Sequence, residues 1–290
     1  HRLREQGMDA EAVFKGSPAS EGRPWHIDPE PPDRIAANVR SDLRELRDRR
    51  TGRDTIILCG SWATPRDLVR RAVTGAFQRA PRVLVWGERM SDRGGPRELL
   101  RRAYFRSPGL DGILAIGSWA VPSYRAATGG RLPIHVFPYT TESGLGATPT
   151  PSPRPVIGFS GRLIPEKGPE VLLRAVNEIP VGARPALEIV GSGPLGDELA
   201  ELAARLHVDV TFHGEVTATR LESIRSRWWA SVTPSQLVRG WVDGWSLVVP
   251  EALNSGVPVV ASGYVGAGHD LIRNGVNGTT PSLIAQGSGE

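Results

Sequence analysis

Short apolar segments alternate with helical segments along most of this chain of 290 residues, and this alternation constrains its fold more than any other feature. The apolar segments have the length of buried strands, whereas the helical segments place apolar residues three and four positions apart. Strands that alternate with helices predict parallel sheets covered by helices on both faces. The predicted strands are 54–60, 82–87, 112–117, 133–138, 156–160, 186–190, 208–213, 231–234 and 257–261, and the predicted helices are 35–49, 65–78, 96–106, 119–128, 169–179, 195–206, 220–229 and 269–273.

A proline-rich segment, 149–155, interrupts the alternation and predicts a linker between two domains. We expect an N-terminal Rossmann-like domain, residues 1–148, and a C-terminal Rossmann-like domain, residues 149–290. Two doubly wound α/β domains of this kind face a cleft and bind ligands at the carboxyl ends of their strands. Residues 1 to about 33 show no period and are predicted to be loop.

Charge and composition limit the classes of function. No apolar run approaches the ~18 residues that a membrane span needs, and the single cysteine, Cys59, excludes an intramolecular disulfide and indicates no metal site. A cytoplasmic protein is expected. The net charge of +4 fits an anionic substrate or peripheral contact with an anionic membrane surface, and no nucleic-acid motif is found. Lysine occurs only as Lys15 and Lys167 in a chain rich in arginine, which draws attention to the turn that contains Lys167.

That turn, G-F-S-G-R-L-I-P-E-K-G, joins a predicted strand to a predicted helix. Gly161 allows close approach of the backbone to a ligand, and Arg162 can form a fork onto a phosphate. Lys167 adds a second cation, and the helix that starts near Pro169 directs free N–H groups at the same place. The pattern predicts a diphosphate site, with an exposed loop solvated by its own charges as the alternative.

A second strand-to-helix turn, Gly191–Gly196, has the pattern G-x-G-x-x-G of dinucleotide sites. Asp209 or Glu215 would supply the acid expected about 20 residues later. An NAD-dependent oxidoreductase is therefore an alternative function. Two features weigh against it: the turn follows the second strand of its domain, and Pro194 alters the first helical turn.

Two carboxylates, Asp243 and Glu251, lie seven residues apart in a loop and the helix that follows it. Gly256 ends this helix. Acids near a helix N-terminus are also favoured by the helix dipole, so capping is the alternative to a ligand role. Trp241 and Trp245 flank Asp243, and their indoles would either stack on a sugar or pack in the core.

The stretch D-G-W-S-L-V-V-P-E-A-L-N-S-G-V-P-V-V-A-S resembles the signature of retaining glycosyltransferases of family four (glycosyl transferases group 1, GT-B fold), in which two acids are spaced E-x7-E. This chain departs from the pattern with Asp243 for Glu, Trp245 for Phe and Ser246 for Gly. G-R-L-x-P-E-K-G resembles the phosphate-binding turn of the family. V-G-S-G-P, H-G-E-V and P-S resemble further segments around its nucleotide. The usual first strand with a glycine-rich loop is not recognisable, so the N-terminal domain is expected to be incomplete.

The resemblance implies a role for each matching residue. Arg162 and Lys167 would hold the diphosphate of a nucleotide sugar, and Glu251 would hold its ribose. The donor sugar would meet Asp243 and the backbone of the next three residues, Gly244, Trp245 and Ser246. Further residues would line the nucleotide pocket: Gly161, Gly191, Gly193, Val216 and Ser235.

The function that the resemblance implies is transfer of a sugar from a nucleotide-diphosphate sugar to a hydroxyl acceptor, with retention and without a metal or other cofactor. The acceptor would be a sugar, a glycolipid or a small molecule on the side of the N-terminal domain, where Glu88 is the catalytic candidate because it follows a strand. A nucleotide-sugar-binding protein without activity is the other alternative.

Overall fold

The computed structural model describes residues 13–15, 34–36, 56–59, 82–90, 96–106, 110–141 and 148–280. These residues fall into two compact units. The smaller takes the described residues up to Leu84, together with Leu110, and the larger takes those from Val85 to Arg106 and from Asp111 to Thr280. The predicted boundary between residues 148 and 149 stays a prediction.

The smaller unit contains two short strands where the sequence predicts none. Strand β1 (Val13–Lys15) pairs in parallel with β2 (Arg34–Ala36). The prediction of loop up to residue 33 is thus wrong at β1, and the predicted helix 35–49 is wrong at its start. Pairing between distant β-branched segments overrides the local period there. Strand β3 (Ile56–Cys59) confirms the predicted strand 54–60 over the residues that are described.

Predicted helix 65–78 and the remainder of 35–49 lie outside the described residues. Strand β4 (Arg82–Gly87) begins in the smaller unit and ends in the larger. Beyond it, every predicted strand and helix is observed, with ends that move by a few residues. For example, Thr217 caps a helix by accepting a hydrogen bond from Arg220 N at 3.3 Å, so this helix begins earlier than the predicted 220–229.

In the larger unit, β4 is followed by two further strands of the same sheet, in the order β4-β5-β6. Strand β5 pairs in parallel with β6, and its residues are mainly buried, as in a parallel sheet that helices cover on both faces. The elements of this part are α1 (Pro96–Phe105), β5 (Gly112–Ala115), a 3-10 turn (Ser118–Ala120), α2 (Val121–Thr128) and β6 (Ile134–Val136).

The rest of the larger unit forms a six-stranded sheet in the order β12-β11-β10-β7-β8-β9, with parallel pairing throughout. The chain runs outward from β7 in one direction and then returns to β10 on its other side, so the topological switch point lies between β7 and β10. Ligands of open α/β sheets bind outside the carboxyl ends of the strands at such a point. The elements are β7 (Val156–Ser160), α3 (Pro169–Glu178), β8 (Ala186–Val190), α4 (Gly196–Leu206), β9 (Val210–Gly214), α5 (Ala218–Arg225), β10 (Ala230–Thr233), α6 (Val248–Asn254), β11 (Val259–Ala261), α7 (Gly266–Leu271) and β12 (Gly278–Thr279).

Two buried clusters hold this sheet to its helices. One unites α3 and α4 with β7 and β8, and the other includes α6, Trp228 and Trp245. The Trp228 ring lies over β7, where a Cβ on Gly158 would come within 2.0 Å of it. Its indole N–H donates to Glu188 Oε2 on β8 at 2.7 Å. The buried indole therefore retains a hydrogen-bond partner.

The proline-rich segment is bonded along its length. Thr150 N donates to Ser226 O at 2.8 Å, Ser152 N donates to Arg227 O at 3.0 Å, and Trp229 Nε1 donates to Ser152 O at 2.7 Å. The segment has neither helix nor strand, as its composition predicts. These hydrogen bonds hold it against the residues that follow α5. Within the described part of the chain, no helix has the length and apolar character that crossing a bilayer requires.

Candidate functional site

The turns that follow β7 and β8 contact each other through their backbones. A Cβ on Gly191 would lie 2.0 Å from Gly161 O, and one on Gly193 would lie 2.5 Å from Leu163 O. Leu163 N donates to Ser192 O at 2.8 Å. No side chain fits between these turns, so glycine is required at both positions. The G-x-G-x-x-G pattern thus has an explanation in packing that needs no dinucleotide.

Lys167 links the turn after β7 to the loop after β10, across the switch point. Its Nζ lies 2.6 Å from Asp243 Oδ2, and the same oxygen accepts a hydrogen bond from Ser235 Oγ at 3.0 Å. The Asp243 side chain is 7% exposed and that of Lys167 is 20% exposed. Gly168 secures the turn, since a Cβ there would lie 2.1 Å from Pro234 O. The cation is therefore fixed at the edge where a ligand is expected.

The two tryptophans that flank Asp243 have different environments. Trp241 closes a hairpin with Val238, with Arg239 and Gly240 at positive φ in its two-residue turn. Its half-buried ring lies 5.6 Å from Lys167 Nζ, within the range of a cation–π contact. Trp245 is 1% exposed and belongs to the core. Of the two alternatives in the sequence, Trp245 therefore packs in the core, whereas Trp241 lies beside the charged pair.

The backbone around Asp243 is held by the segment that begins α7. Asp243 N donates to Tyr264 O at 3.1 Å, and Gly266 N donates to Asp243 O at 2.8 Å. Ser246 has a φ of 66°, which explains why the family signature has glycine at this position. The serine here adopts a conformation that costs a non-glycine residue about 1 kcal/mol or more.

Glu251 lies on α6, which begins at Val248 and contains Pro250 in its first turn, where a missing N–H leaves no hydrogen bond unmade. Its Oε2 accepts a hydrogen bond from Arg225 Nη2 at 2.7 Å. The Arg225 side chain is fully buried, whereas that of Glu251 is 22% exposed. The sequence analysis did not single out Arg225. Its position on the apolar face of α5, between Leu221 and Trp228, could have indicated a buried charge.

Glu88, directly after β4, lies against the same loop. A Cβ on Gly244 would come within 2.7 Å of Glu88 Oε2. Desolvation raises the pKa of the Glu88 carboxyl above its ordinary value, the negative charge of Asp243 raises it further, and Lys167 lowers it in part. The structure thus brings the first-domain candidate together with Lys167 and Asp243.

The other predicted residues occupy less distinctive positions. Arg162 is exposed beside the turn after β7, and Val216 is half-buried against the core cluster of α6. Burial raises the pKa of the Tyr139 phenol, with a smaller contribution from Glu88. The roles assigned to the site residues from the sequence stay predictions.

Part of the chain is similar to a known family of proteins. Residues 146–281 match the family model described as glycosyl transferases group 1. A D-inositol 3-phosphate glycosyltransferase of Nocardioides sp. is 35% identical over 147 residues, which are 44% of this chain and 31% of that protein. A GDP-mannose-dependent alpha-(1-6)-phosphatidylinositol monomannoside mannosyltransferase of Mycolicibacterium smegmatis is 35% identical over 132 residues, 43% of this chain and 34% of that protein. The chain spans about a third of the length of these curated relatives.

Solved structures show the same fold. The lipopolysaccharide outer core galactosyltransferase WaaB in its apo form gives a TM-score of 0.67 at 18% identity, covering 87% of this chain and 71% of that one. HepE of Anabaena in complex with UDP gives a TM-score of 0.66 at 20% identity, covering 86% and 72%. The fold is therefore the two-domain α/β GT-B fold of glycosyltransferases. Together with the family match, these findings support a group 1 glycosyltransferase.

The contact between turns predicts unequal effects of alanine at two glycines of one motif. Gly193→Ala should destabilise the fold by about 1–3 kcal/mol, since a Cβ meets the backbone of Leu163 at 2.5 Å. Gly196→Ala is the matched control, because its Cβ would meet only Leu163 Cδ1 at 3.9 Å, at the start of α4, where alanine is the better helix former. Urea unfolding measures both. Equal stability of the two variants would contradict the packing explanation.

The raised pKa of Glu88 predicts a pH-dependent effect of Glu88→Gln. Because the native state disfavours the ionised carboxyl, the two proteins should be equally stable below the ordinary pKa of 4.5. The wild type should then lose stability relative to the variant as the pH rises through the raised value. The difference at neutral pH should be about 1 kcal/mol or less, since the side chain is partly exposed. Urea unfolding from pH 4 to 8 tests this, and a difference that does not change with pH would contradict it.

Proposed function

We propose that this chain transfers a sugar from a nucleotide-diphosphate sugar to a hydroxyl acceptor, with retention of the anomeric configuration. The observation that carries the proposal is the Lys167 ammonium, which Asp243 holds at 2.6 Å beside the switch point of the sheet. A fixed cation at this edge suits the diphosphate of a donor. The family match over residues 146–281 supports the same function.

The diphosphate would lie at the turn after β7. Arg162 is exposed there and can form two parallel hydrogen bonds to a phosphate. Lys167 is part-exposed, so its ammonium can contact a phosphate oxygen while it stays near Asp243. Helix α3 begins at Pro169 and adds the positive end of its dipole. The donor's nucleoside would then extend toward Glu251, which would hold the ribose hydroxyls.

The reaction breaks the bond between the anomeric carbon and the diphosphate oxygen, and the electron pair leaves with the diphosphate. Arg162 and Lys167 stabilise this developing negative charge. The acceptor oxygen bonds to the anomeric carbon on the face from which the diphosphate departs. Its proton passes to Glu88, whose raised pKa makes it a stronger base. No metal or other cofactor takes part in this proposal.

The donor sugar would be held by Asp243 and the backbone that follows it. Both side-chain hydrogen bonds of Asp243 go to Oδ2, so Oδ1 is the oxygen for a sugar hydroxyl. The half-buried Trp241 ring would form one wall. The acceptor would be a hydroxyl-bearing sugar, glycolipid or small molecule, in line with the inositol phosphate and phosphatidylinositol mannoside in the names of the relatives. Contact with an anionic membrane surface would suit a lipid acceptor.

A second candidate function is donor binding without transfer. The observation in its favour is that Asp243 is already engaged by Lys167 and Ser235, and is a shorter acid than the family signature has. Slow release of free sugar from the donor in the absence of acceptor separates the two, because only a transferase catalyses it.

A panel of nucleotides tests the proposed function. UDP, GDP, ADP, dTDP and NAD are added to the protein, and the melting temperature is measured. One nucleoside diphosphate should raise it clearly, because a ligand of the native state stabilises by mass action, and NAD should not. A rise with NAD alone would overturn the proposal. It would favour the alternative interpretation, in which the Gly191–Gly196 turn binds a dinucleotide.

Removal of either basic side chain of the diphosphate site should slow transfer. We expect Arg162→Ala and Lys167→Ala each to lower turnover by about tenfold or more, since each removes a charge-assisted contact to the leaving diphosphate. Arg174→Ala is the control, because Arg174 is exposed on α3 and forms only a surface ion pair with Glu170. Steady-state rates with a saturating donor measure the effect, and wild-type turnover in both site variants would contradict the assignment.

A further inference from the structure

Arg225 is a fully buried arginine whose guanidinium makes one ion pair within the described part of the chain, to Glu251. Arginine cannot lose its charge in a protein, so a carboxylate must compensate it. Its Nη2 donates to Glu251 Oε2 at 2.7 Å, whereas Nε and Nη1 are buried and have no hydrogen-bond partner among the described residues. The arginine thus acts on a single carboxylate oxygen.

Stability alone does not account for this pair. Desolvation of a buried ion pair costs several kcal/mol, and apolar residues of similar volume are often as stabilising or more so. The surroundings are apolar: Ile224 and Trp228 of the α5 region share one buried cluster with Val249 and Ala252 of α6. A leucine or methionine at position 225 would suit these neighbours. A charge kept here indicates a task for the carboxylate that it holds.

The carboxylate of Glu251 combines constraint with access. Its Oε2 is fixed from the protein side by Arg225, while its side chain remains 22% exposed. The guanidinium is itself fixed, because the Arg225 side chain is fully buried at the end of α5. A carboxylate held in this way through Oε2 presents Oε1 in a single orientation. Such an oxygen can accept hydrogen bonds from two neighbouring hydroxyls of a ligand.

We propose that Arg225 is a positioning residue, which orients Glu251 so that its free oxygen selects a ribonucleotide over a 2′-deoxyribonucleotide. The inference rests on the proposed function, in which Glu251 holds the ribose of the donor. Arg225 does not touch the nucleotide. It acts by preventing Glu251 from rotating away, so its loss affects the ribose hydroxyls more than the remainder of the ligand.

The test compares ribose and deoxyribose forms of the same nucleotide. Calorimetry measures the dissociation constants of UDP, GDP and ADP, and of their 2′-deoxy forms, with the wild type, Arg225→Lys and Arg225→Met. The wild type should prefer the ribose form of the nucleotide that it binds by about 10- to 100-fold, the scale of a hydrogen bond to a charged group. Both variants should reduce this preference to within about threefold, with little change for the deoxy form.

Arg227→Met is the matched control. Arg227 is the next arginine along the chain and forms a pair of similar length, Nη2 to Glu188 Oε1 at 2.8 Å, but it is about half exposed and its partner lies on β8. It should leave the preference for ribose unchanged. Glu251→Gln should remove the preference for ribose. Its ratio of the two dissociation constants is the lower reference value for the Arg225 variants.

Folding is checked by thermal unfolding of each variant. If Arg225→Met does not fold, Arg225→Lys keeps the charge, and Arg225→Met with Glu251→Leu removes the pair as a whole, which is expected to restore stability. The double variant should bind both forms of the nucleotide equally.

Three results would overturn the inference in distinguishable ways. If the wild type binds none of these six nucleotides, the inference fails, and the proposed function fails with it unless dTDP raises the melting temperature. If the wild type prefers ribose and the Arg225 variants prefer it equally, only the inference fails. An equal weakening of both forms in the Arg225 variants would show a purely structural role.

Discussion

The site depends on backbone contact between neighbouring strand-to-helix turns. The turn after β7 lies so close to the turn after β8 that Gly191 and Gly193 admit no Cβ, and Gly168 meets the carbonyl of Pro234 in the same way. These contacts join three turns at the carboxyl edge of the sheet without any side chain between them. They fix the turn that bears Lys167 before any ligand arrives, so the position of the ammonium is a property of the fold rather than of a flexible side chain alone.

Each acid of the E-x7-E type signature has a basic partner, and the two partners differ in exposure. Asp243 is paired with Lys167, which is 20% exposed, and Glu251 is paired with Arg225, which is fully buried. A part-exposed ammonium on a flexible stem can exchange between its carboxylate and a phosphate. A fully buried guanidinium has no such freedom. The first pair is therefore suited to respond to the ligand, and the second to stay constant while the ligand binds and leaves.

The sequence predicted most of the fold from residue 82 onward, because each strand and helix there has a clear period and flanking turn residues. It also predicted that Lys167, Asp243 and Glu251 of the C-terminal domain and Glu88 of the N-terminal domain belong to one ligand site. It did not predict β1 or β2, whose few residues gain their structure from pairing with each other rather than from local pattern. The Lys167–Asp243 pair joins positions 76 residues apart, a relation that neither turn reveals alone. Arg225 was missed because the local sequence shows only one charged residue on an otherwise apolar helix face. Its role depends on the ion pair with Glu251 on α6, which the sequence does not show.

The scarcity of lysine gives the site an analytical use. The chain has two lysine side chains, and one of them is the ammonium beside Asp243. An amine-directed acylating reagent, followed by peptide mass spectrometry, would thus report on the site through a single modified peptide, with Lys15 as an internal reference. A bound phosphate compound would protect Lys167 from acylation, so binding could be measured as a loss of that modified peptide. The measurement needs neither a radioactive donor nor a known acceptor.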